Sequence, residues 1–308
     1  MAFEPNNVLV TGGAGFIGSH FIRQALRRWP GARFVNLDAL THAGSQTRVA
    51  DLADDPRYRF VQGDICDAAL ATDLFAEHGF DTVVHFAAES HVDRSIAGPD
   101  IFVRTNVTGT HQLLEAARRA WSRHDMDPAR CRFHHISTDE VYGDLAPHDP
   151  PFTEDTAFRP SSPYSASKAA AEHLVRAWHR TYAMPVTITN CSNNYGPWQG
   201  MESLLPKVIV NALEGQPLPI YGDGQQVRDW LFVTDHCKAI ADVIERGAPG
   251  ESYNVGGDAE RANVDIVRSV CDILDELSPE GAPHRRLIEY VADRPGHDRR
   301  YAIDSSRL

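Results

Sequence analysis

Short apolar runs alternate with longer amphipathic stretches over the first two thirds of the chain. The short runs are NVLV, RFVNL, YRFVQ, DTVVHF, RFHHIS and VTITN, and stretches with helical spacing lie at 15–28, 67–77 and 100–122. Strands that alternate with helices in this way are typical of βαβ units, in which neighbouring strands are parallel. The pattern therefore predicts an α/β fold built on a doubly wound parallel sheet.

The pattern changes after residue 190. Clusters of Asn, Gly and Pro surround one predicted helix near 203–214, and a further strand and helix follow at 229–254. We expect a larger lobe formed by 1–190 and a smaller C-terminal α/β lobe formed by 191–308, with the segment 229–254 able to return to the first lobe. No Gly/Ser linker separates the two lobes.

The composition narrows the classes of partner. The 308 residues carry a net charge of −12, which argues against binding to nucleic acid or to an anionic membrane and leaves a small molecule as the expected partner. The five cysteines are widely spaced without a CxxC pair, so neither disulfide bonds nor a metal site are predicted. Because the sequence shows no basic leader and no apolar run of membrane-spanning length, we expect a cytoplasmic protein.

A glycine-rich turn follows the first predicted strand. In VTGGAGFIGSH, Gly12, Gly15 and Gly18 lie between that strand and a helix, where missing side chains allow a diphosphate to approach the helix N-terminus. Asp38, at the end of the second strand, is placed to bind ribose hydroxyls. Its charge would repel a 2′-phosphate and Ala39 offers no compensating cation, so a Rossmann-type lobe that binds NAD rather than NADP is predicted.

The stretch SSPYSASK at 161–168 predicts a catalytic pair. Ser162 suits a helix N-cap and Pro163 the first turn, so Tyr164 and Lys168 project from one face of the helix. Lowering the pKa of a phenol by about three units requires roughly 4 kcal/mol. A lysine cation at about 4 Å supplies a similar amount at an effective dielectric of about 20. We therefore expect Lys168 to make Tyr164 an activated tyrosinate.

Three polar residues follow the strand RFHHIS. Thr138, Asp139 and Glu140 come where the strand ends, and the carboxyl ends of parallel strands are where active sites of α/β proteins gather. Two carboxyl groups with separated pKa values can act as an acid and a base. The alternative is that Asp139 and Glu140 cap a turn or pair with surface arginines.

Tyr164, Lys168 and Thr138, together with the glycine-rich turn, resemble the extended short-chain dehydrogenase/reductases. Within that group the segments TDEVYG, FAAESHVDRS, TNVTGTHQLLEAAR, SPYSASK, NCSNNYGP and VADRPGHDRRYAID resemble the dTDP-glucose 4,6-dehydratase family. The similarity runs from Val8 to the last residue. Members of that family continue with a further segment, so the chain is expected to stop early.

The resemblance implies an NAD-dependent lyase that converts dTDP-glucose to a 4-keto-6-deoxy sugar nucleotide. Tyr164 would take the proton of the C4 hydroxyl while Thr138 hydrogen-bonds the C4 oxygen. Glu140 would be the base at C5 and Asp139, protonated, the acid at the C6 hydroxyl. NAD would be regenerated within each turnover.

The resemblance also implies two sets of binding residues. The cofactor set comprises Gly12, Gly15, Phe16, Ile17, Gly18, Asp38, Asp64, Ile65, Ala87, Ala88, Ser90, Thr105, Tyr164, Lys168 and Asn194. The substrate set comprises Ser90, Thr138, Asn193, Glu202, Arg228, Asn263, Asp293, Arg294 and His297. The helices at 100–122 and 163–182 correspond to helices that form a homodimer bundle in the family.

One loop departs from the family pattern. Glu202 is retained after NNYGP, but Ser203 stands where many relatives have a lysine, and Lys207 lies one helical turn further on. Either Lys207 compensates or the enzyme accepts a different nucleotide or sugar.

Two other functions compete with the dehydratase interpretation. A UDP-sugar 4-epimerase or decarboxylase of the same family would share the oxidation at C4, but these relatives usually have a small residue where Asp139 stands. A non-catalytic NAD-binding protein would tend to lose Tyr164 and Lys168, and this chain keeps both.

Overall fold

The structure is a computed structural model that describes residues 2–123 and 127–308. The strands are β1 Asn7–Thr11, β2 Arg33–Asp38, β3 Tyr58–Gln62, β4 Thr82–His85, β5 Arg132–Thr138, β6 Val186–Cys191, β7 Asn193–Tyr195, β8 Leu218–Tyr221, β9 Val227–Phe232, β10 Ser252–Val255, β11 Glu260–Ala262 and β12 Ile288–Val291. The α-helices are α1 Phe16–Arg28, α2 Ala68–His78, α3 Val92–Ala97, α4 Asp100–Phe102, α5 Thr110–Arg123, α6 Pro163–Tyr182, α7 Leu204–Leu213, α8 Val233–Arg246 and α9 Asn263–Leu277.

Seven strands form one sheet in the order β10-β6-β5-β4-β1-β2-β3, and every pairing within it is parallel. The chain runs outwards from β1 to β3 on one side and from β4 to β6 on the other. The strand order therefore reverses between β1 and β4, and a crevice opens there at the carboxyl ends of the strands. The predicted doubly wound, Rossmann-type sheet is confirmed.

Helices cover both faces of this sheet. On one face α1 and α8 pack together, with Phe21 and Ile22 of α1 and Ile240 of α8 fully buried against strand residues such as Val10. On the other face α2, α5 and α6 contribute buried residues, among them Val175 of α6. Apolar residues on one side of each amphipathic helix thus bury the sheet from both directions, as the alternating sequence pattern predicted.

The chain returns to the large sheet late in the sequence. β10 pairs in parallel with β6, and α8 packs on α1. The remaining strands form a three-stranded sheet, β11-β9-β7, and a two-stranded sheet, β12-β8, with α7 and α9 packed around a separate apolar core that includes Val208 and Val267. The division into lobes 1–190 and 191–308 remains a proposal, which this separate core supports.

The helix predicted at 100–122 is irregular. Between α4 and α5 the segment Val103–Gly109 forms a π-helix, and Gly109 lies where a Cβ would come within 2.5 Å of the Ile65 side chain. The widened turn brings Asn106 inwards, where its amide donates to the backbone carbonyl of Glu89 at 2.9 Å. Such single-turn π segments are frequent at functional sites, and the helical pattern of the sequence did not reveal this one.

Within the described residues, no helix is both long and apolar enough to cross a membrane. The same part of the chain contains no group of three or more His, Cys, Asp or Glu side chains that could hold a metal ion. All five cysteines are free thiols.

Candidate active site

A cavity of about 670 Å³ lies along the carboxyl ends of the central strands, where the strand order reverses. This volume is in the range of cofactor and substrate sites. All the residues predicted to bind the cofactor or to act in catalysis line it, and so do Ser90, Thr138, Asn193 and Glu202 of the predicted substrate set.

The glycine-rich turn forms the floor of the cavity by close contact between backbones. Gly12 has φ +72°, and a Cβ on it would lie 2.6 Å from the backbone nitrogen of Ala87. A Cβ on Gly18 would lie 2.4 Å from the Gly12 carbonyl oxygen. The N-cap of α1 is Gly15, and the helix has neither a side-chain cap nor an acidic residue in its first turn. Its free N–H groups and positive dipole end are therefore available to an anion such as a diphosphate.

Asp38 lies at the end of β2 beside this turn. Its carboxylate accepts hydrogen bonds from the backbone N–H groups of Ala14, at 2.9 Å, and Leu40, at 2.8 Å. Burial raises the pKa of Asp38, while these bonds and the nearby cation of Arg48 lower it. A carboxylate has about four acceptor positions, so it retains capacity for ribose hydroxyls. The cavity thus provides an anion site and a ribose acceptor, which fits a dinucleotide cofactor.

The N-terminus of α6 presents the predicted catalytic pair. Ser162 caps the helix in a capping box with Ser165, as the sequence indicated. Tyr164 and Lys168 lie on the buried face of the helix, with 9% and 5% of their surfaces exposed. The ammonium group of Lys168 donates a hydrogen bond of 2.6 Å to the backbone carbonyl of Ile136, in β5.

Burial moves the pKa of the Tyr164 phenol in the direction opposite to the expected activation. Burial raises the pKa of Tyr164 well above its usual value, and the negative charge of Glu140 raises it further, while a hydrogen bond with Thr138 opposes them. Burial also lowers the pKa of Lys168 to about 8. The loss of hydration is thus the largest influence on the pKa of the phenol, and the activation of Tyr164 by Lys168 stays a prediction.

The carboxyl groups of Asp139 and Glu140 both have raised pKa values. Thr138 ends β5, and its hydroxyl accepts a hydrogen bond from the backbone N–H of Glu140 at 3.3 Å. Burial raises the pKa of Asp139 well above its usual range, and Glu140 raises it further. Burial raises the pKa of Glu140 to about 7, against the lowering effect of the Arg228 and Arg294 cations. The raised pKa favours the protonated form of Asp139, and Glu140, with a pKa of about 7, ionises near neutral pH.

Five residues of the predicted substrate set do not line the cavity. Arg228 is buried, donates to the carbonyl oxygens of Val227 and Asp298, and lies 4.2 Å from the ring centre of Tyr301. Arg294 pairs with Asp93 at 3.2 Å. Both cations are nevertheless near enough to Glu140 to lower its pKa.

The other three members of the set are also held by protein contacts. The His297 ring contacts Asp293 at 2.6 Å, and Asp293 also accepts a hydrogen bond from Gln226. Asn263 is the first residue of α9. A role for these five residues in substrate binding therefore remains a proposal.

The altered loop contributes part of the predicted set. Glu202 and Ser203 line the cavity, and Ser203 stands at the N-cap of α7. Lys207 is exposed on α7 and does not line the cavity. Compensation of the missing lysine by Lys207 receives no support from this arrangement.

Several lining residues were missed by the sequence analysis. Arg48 and His42 come from the loop and short 3₁₀ segment after β2, where the sequence shows no motif. Cys191 ends β6 and is buried next to Lys168. Its position inside the motif NCSNNYGP was the one available signal. His42 lies 3.5 Å from the buried carboxylate of Glu89.

The reversal of strand order, the glycine-rich turn and the Tyr-Lys pair beside Thr138 define an extended short-chain dehydrogenase/reductase. The family model for GDP-mannose 4,6 dehydratase matches residues 9–308. A dTDP-glucose 4,6-dehydratase of Escherichia coli (strain K12) is 56% identical over 98% of this chain and 86% of that protein. The chain belongs to the dTDP-glucose 4,6-dehydratase family.

Solved structures agree with this assignment. The dTDP-glucose 4,6-dehydratase DesIV from Streptomyces venezuelae, crystallised with NAD, has a TM-score of 0.88 and 46% identity, covering 98% of this chain and 89% of that chain. A UDP-glucose 4-epimerase from Thermus thermophilus, also in complex with NAD, has a TM-score of 0.84 but only 28% identity, with 98% and 91% coverage. The fold is thus common to dehydratases and epimerases, whereas the sequence lies with the dehydratases.

Proposed function

We propose that this protein is an NAD-dependent hydro-lyase that converts dTDP-glucose to dTDP-4-keto-6-deoxyglucose. The observation that carries the proposal is the pair Asp139 and Glu140 at the end of β5, two neighbouring carboxyl groups that line the cavity together with Tyr164. Elimination of water across C5 and C6 needs an acid and a base at adjacent carbon atoms, and this pair can provide both.

The cofactor is NAD, which residues near the carboxyl ends of the parallel strands would hold. The turn at Gly12, Gly15 and Gly18 would bind its diphosphate, and Asp38 its ribose. Asp64 and Ile65 would lie by the adenine, while Ala87, Ala88, Thr105 and Asn194 would contact the nicotinamide half. When bound, NAD supplies a reversible hydride acceptor for the sugar and a positive charge that, with Lys168, favours the phenolate of Tyr164.

The residues of the chain move the protons. Tyr164 takes the proton from the C4 hydroxyl, and Thr138 orients the C4 oxygen. Once C4 is a ketone, the hydrogen on C5 becomes acidic because its removal gives an enolate. Glu140, with a pKa of about 7, is available as the base at C5. Asp139, whose pKa is held high by burial, gives its proton to the departing C6 hydroxyl.

Turnover of different sugar nucleotides tests the proposal. Purified protein is given dTDP-, UDP-, CDP- or GDP-hexose without added reductant, and the product is detected by the alkaline absorbance of a 4-keto-6-deoxy sugar. We expect dTDP-glucose to be converted most efficiently. Faster conversion of another nucleotide would contradict the choice of nucleoside, and the absence of any keto-deoxy product would contradict the elimination.

The epimerase alternative is less well supported. An epimerase needs the oxidation at C4 but has no use for an acid at C6, and the buried, protonated Asp139 would then lack a role. The two reactions are separated by mass spectrometry, because the dehydratase product is lighter by one water and an epimerised product keeps the mass of the substrate.

We also propose a cytoplasmic homodimer. The five free cysteines are typical of a reducing compartment. The dimer would form through α5 and α6, where Tyr182 is 49% exposed and lies beside Trp178. Sedimentation should give twice the mass of the chain, and Tyr182→Glu should shift the protein towards the monomer. A monomeric wild-type protein would contradict the dimer.

A further inference from the structure

One face of α6 carries four polar side chains at intervals of four residues: Tyr164, Lys168, Glu172 and Arg176. The proposed mechanism uses the first two. The side chain of Glu172 has 0% exposure, whereas that of Arg176 is 26% exposed. Carboxylates are rarely buried unless a partner compensates the loss of hydration, so the position of Glu172 calls for a physical reason.

Glu172 connects α6 to the catalytic strand end. One of its oxygens accepts a hydrogen bond of 2.7 Å from Arg176. The other accepts a hydrogen bond of 2.9 Å from the side-chain amide of Asn190, in β6. The same amide nitrogen donates to the backbone carbonyl of Thr138 at 3.3 Å. The carboxylate thus fixes the amide that holds the last residue of β5.

Together with Lys168, this arrangement ties α6 to β5 at two successive points. Lys168 donates to the carbonyl of Ile136, and the Glu172–Asn190 link reaches the carbonyl of Thr138. Tyr164 lies on α6, and the carboxyl groups of Asp139 and Glu140 directly follow Thr138 of β5. These two hydrogen-bonded links therefore set the distance between Tyr164 on α6 and the carboxyl groups of Asp139 and Glu140 after β5.

Four ionisable groups interact electrostatically with Lys168, and Glu172 is one of them. The others are His85 in β4, His135 in β5 and Cys191 at the end of β6. Burial lowers the pKa of His85 to about 3 and that of His135 well below its usual value, and it raises the pKa of the Cys191 thiol to about 12. Cys191 and, after it, Glu172 raise the pKa of Lys168 against the lowering effect of burial. Because the raised pKa of the Cys191 thiol keeps it neutral at pH 7, Glu172 is the anion among these groups that opposes the desolvation of the ammonium group.

We propose that Glu172 is a positioning residue for the reaction: through Asn190 it holds the end of β5 against α6, and its negative charge stabilises the ammonium of Lys168. The kinetic part of this inference rests on the proposed function. The electrostatic part concerns the protein alone and can be tested without substrate.

The charge of Lys168 can be measured directly because the chain has three lysines, Lys168, Lys207 and Lys238. Protein labelled with ¹³C at the lysine ε carbon gives three titrating signals, and Lys207→Arg and Lys238→Arg identify the signal of Lys168. In Glu172→Gln we expect the titration midpoint of Lys168 to fall by about one pH unit, because the neighbouring anion is lost. Glu172→Asp keeps the charge and should restore the midpoint.

The same variants are then compared in turnover. Glu172→Gln should lower kcat about tenfold or more with a nearly unchanged KM, and the fall of activity on the alkaline side should begin at lower pH. Glu172→Asp should recover the pH profile. Glu77→Gln is the matched control, since Glu77 of α2 pairs with Arg59 of β3 at 2.6 Å, and it should change neither readout.

Arg176→Gln covers the case in which Glu172→Gln does not fold. It leaves the anion without its partner and should raise the midpoint of Lys168. An unchanged midpoint in whichever variant folds would overturn the inference, and failure of both to fold would assign Glu172 a purely structural role. A shifted midpoint in a protein that does not convert dTDP-glucose would instead contradict the proposed function.

Discussion

The two halves of the active-site cavity are built in different ways. The cofactor half consists of backbone and small residues, where Gly12 and Gly18 allow contacts that a Cβ would block. The sugar half depends on ionisable side chains, with Asp139 and Glu140 close to the cations of Arg228 and Arg294. The cofactor half provides a complementary shape, and the sugar half provides ionisable groups with shifted pKa values.

This difference has a functional consequence. A cofactor that is retained through a turnover needs a rigid, complementary surface, which close backbone contacts provide. Proton transfer at neighbouring atoms needs groups whose pKa values are moved away from one another, which burial and neighbouring charges provide. Substitutions in the first half should therefore weaken binding, and substitutions in the second half should slow the reaction while the cofactor stays bound.

The largest effect is expected from Tyr164→Phe. Loss of the phenol removes the base for the C4 hydroxyl, so kcat should fall by about 10³-fold or more. NAD should remain bound, as measured by its absorbance after gel filtration. Tyr290→Phe, at a residue that is 54% exposed, is the control and should keep full activity. Loss of NAD together with activity would mean that the two halves are not separable.

Glu140→Gln should give the next largest effect. The amide cannot accept the C5 proton, so elimination should slow by about 10²- to 10³-fold, and exchange of solvent deuterium into C5 should stop. NAD binding should be unchanged. Glu280→Gln, at an exposed position, serves as the control. Normal exchange and elimination in Glu140→Gln would show that another group is the base.

Gly12→Ala tests the cofactor half. The new Cβ would lie 2.6 Å from the backbone of Ala87, and the φ of +72° is strained for alanine. We expect NAD affinity, measured by calorimetry, to weaken by about 10- to 100-fold, which corresponds to about 1–3 kcal/mol. Gly31→Ala has nothing within 4 Å of the added atom and should bind NAD normally. Unchanged NAD affinity in Gly12→Ala would contradict a role of the close backbone contact at Gly12 in cofactor binding.

The smallest effect concerns pH. Burial raises the pKa of Glu140 to about 7, and a base acts only when it is deprotonated, so kcat/KM should fall about tenfold per pH unit below pH 7. Arg294→Gln removes a cation that lowers this pKa. The acid limb of the profile, meaning the pH range over which kcat/KM falls on the acid side, should therefore move to higher pH by roughly half a unit. Arg299→Gln, which pairs with exposed Asp223, should leave the limb in place. A limb near pH 4 in the wild type would contradict the raised pKa.

The sequence predicted the elements of the large sheet well because their signals are local. The alternation of apolar runs gave the strands, and Ser162 with Pro163 gave the start of α6. The cofactor half was predictable for the same reason: a glycine turn and Asp38 lie within one βαβ unit, so spacing along the chain is close to spacing in space.

Other features depended on contacts between distant segments. Gly109, at the end of the π segment before α5, packs closely on the distant Ile65, and neither residue signals the segment alone. The cavity also receives Arg48 from a loop without a motif. The spacing of Tyr164 and Lys168 predicted that they share a helix face, but a pair four residues apart says nothing about burial, which is the largest influence on the pKa of Tyr164.

The sequence by itself determined the parallel α/β fold, the glycine-rich turn and the choice of the proposed catalytic side chains, since these follow from periodicity and from motifs of a few residues. The tertiary structure decided the proton affinities of those side chains. They arise from desolvation and from charges such as Arg228 and Arg294, which lie far from Glu140 along the chain. Electrostatic effects of this kind depend on distance and burial in three dimensions, which the linear order of residues does not encode.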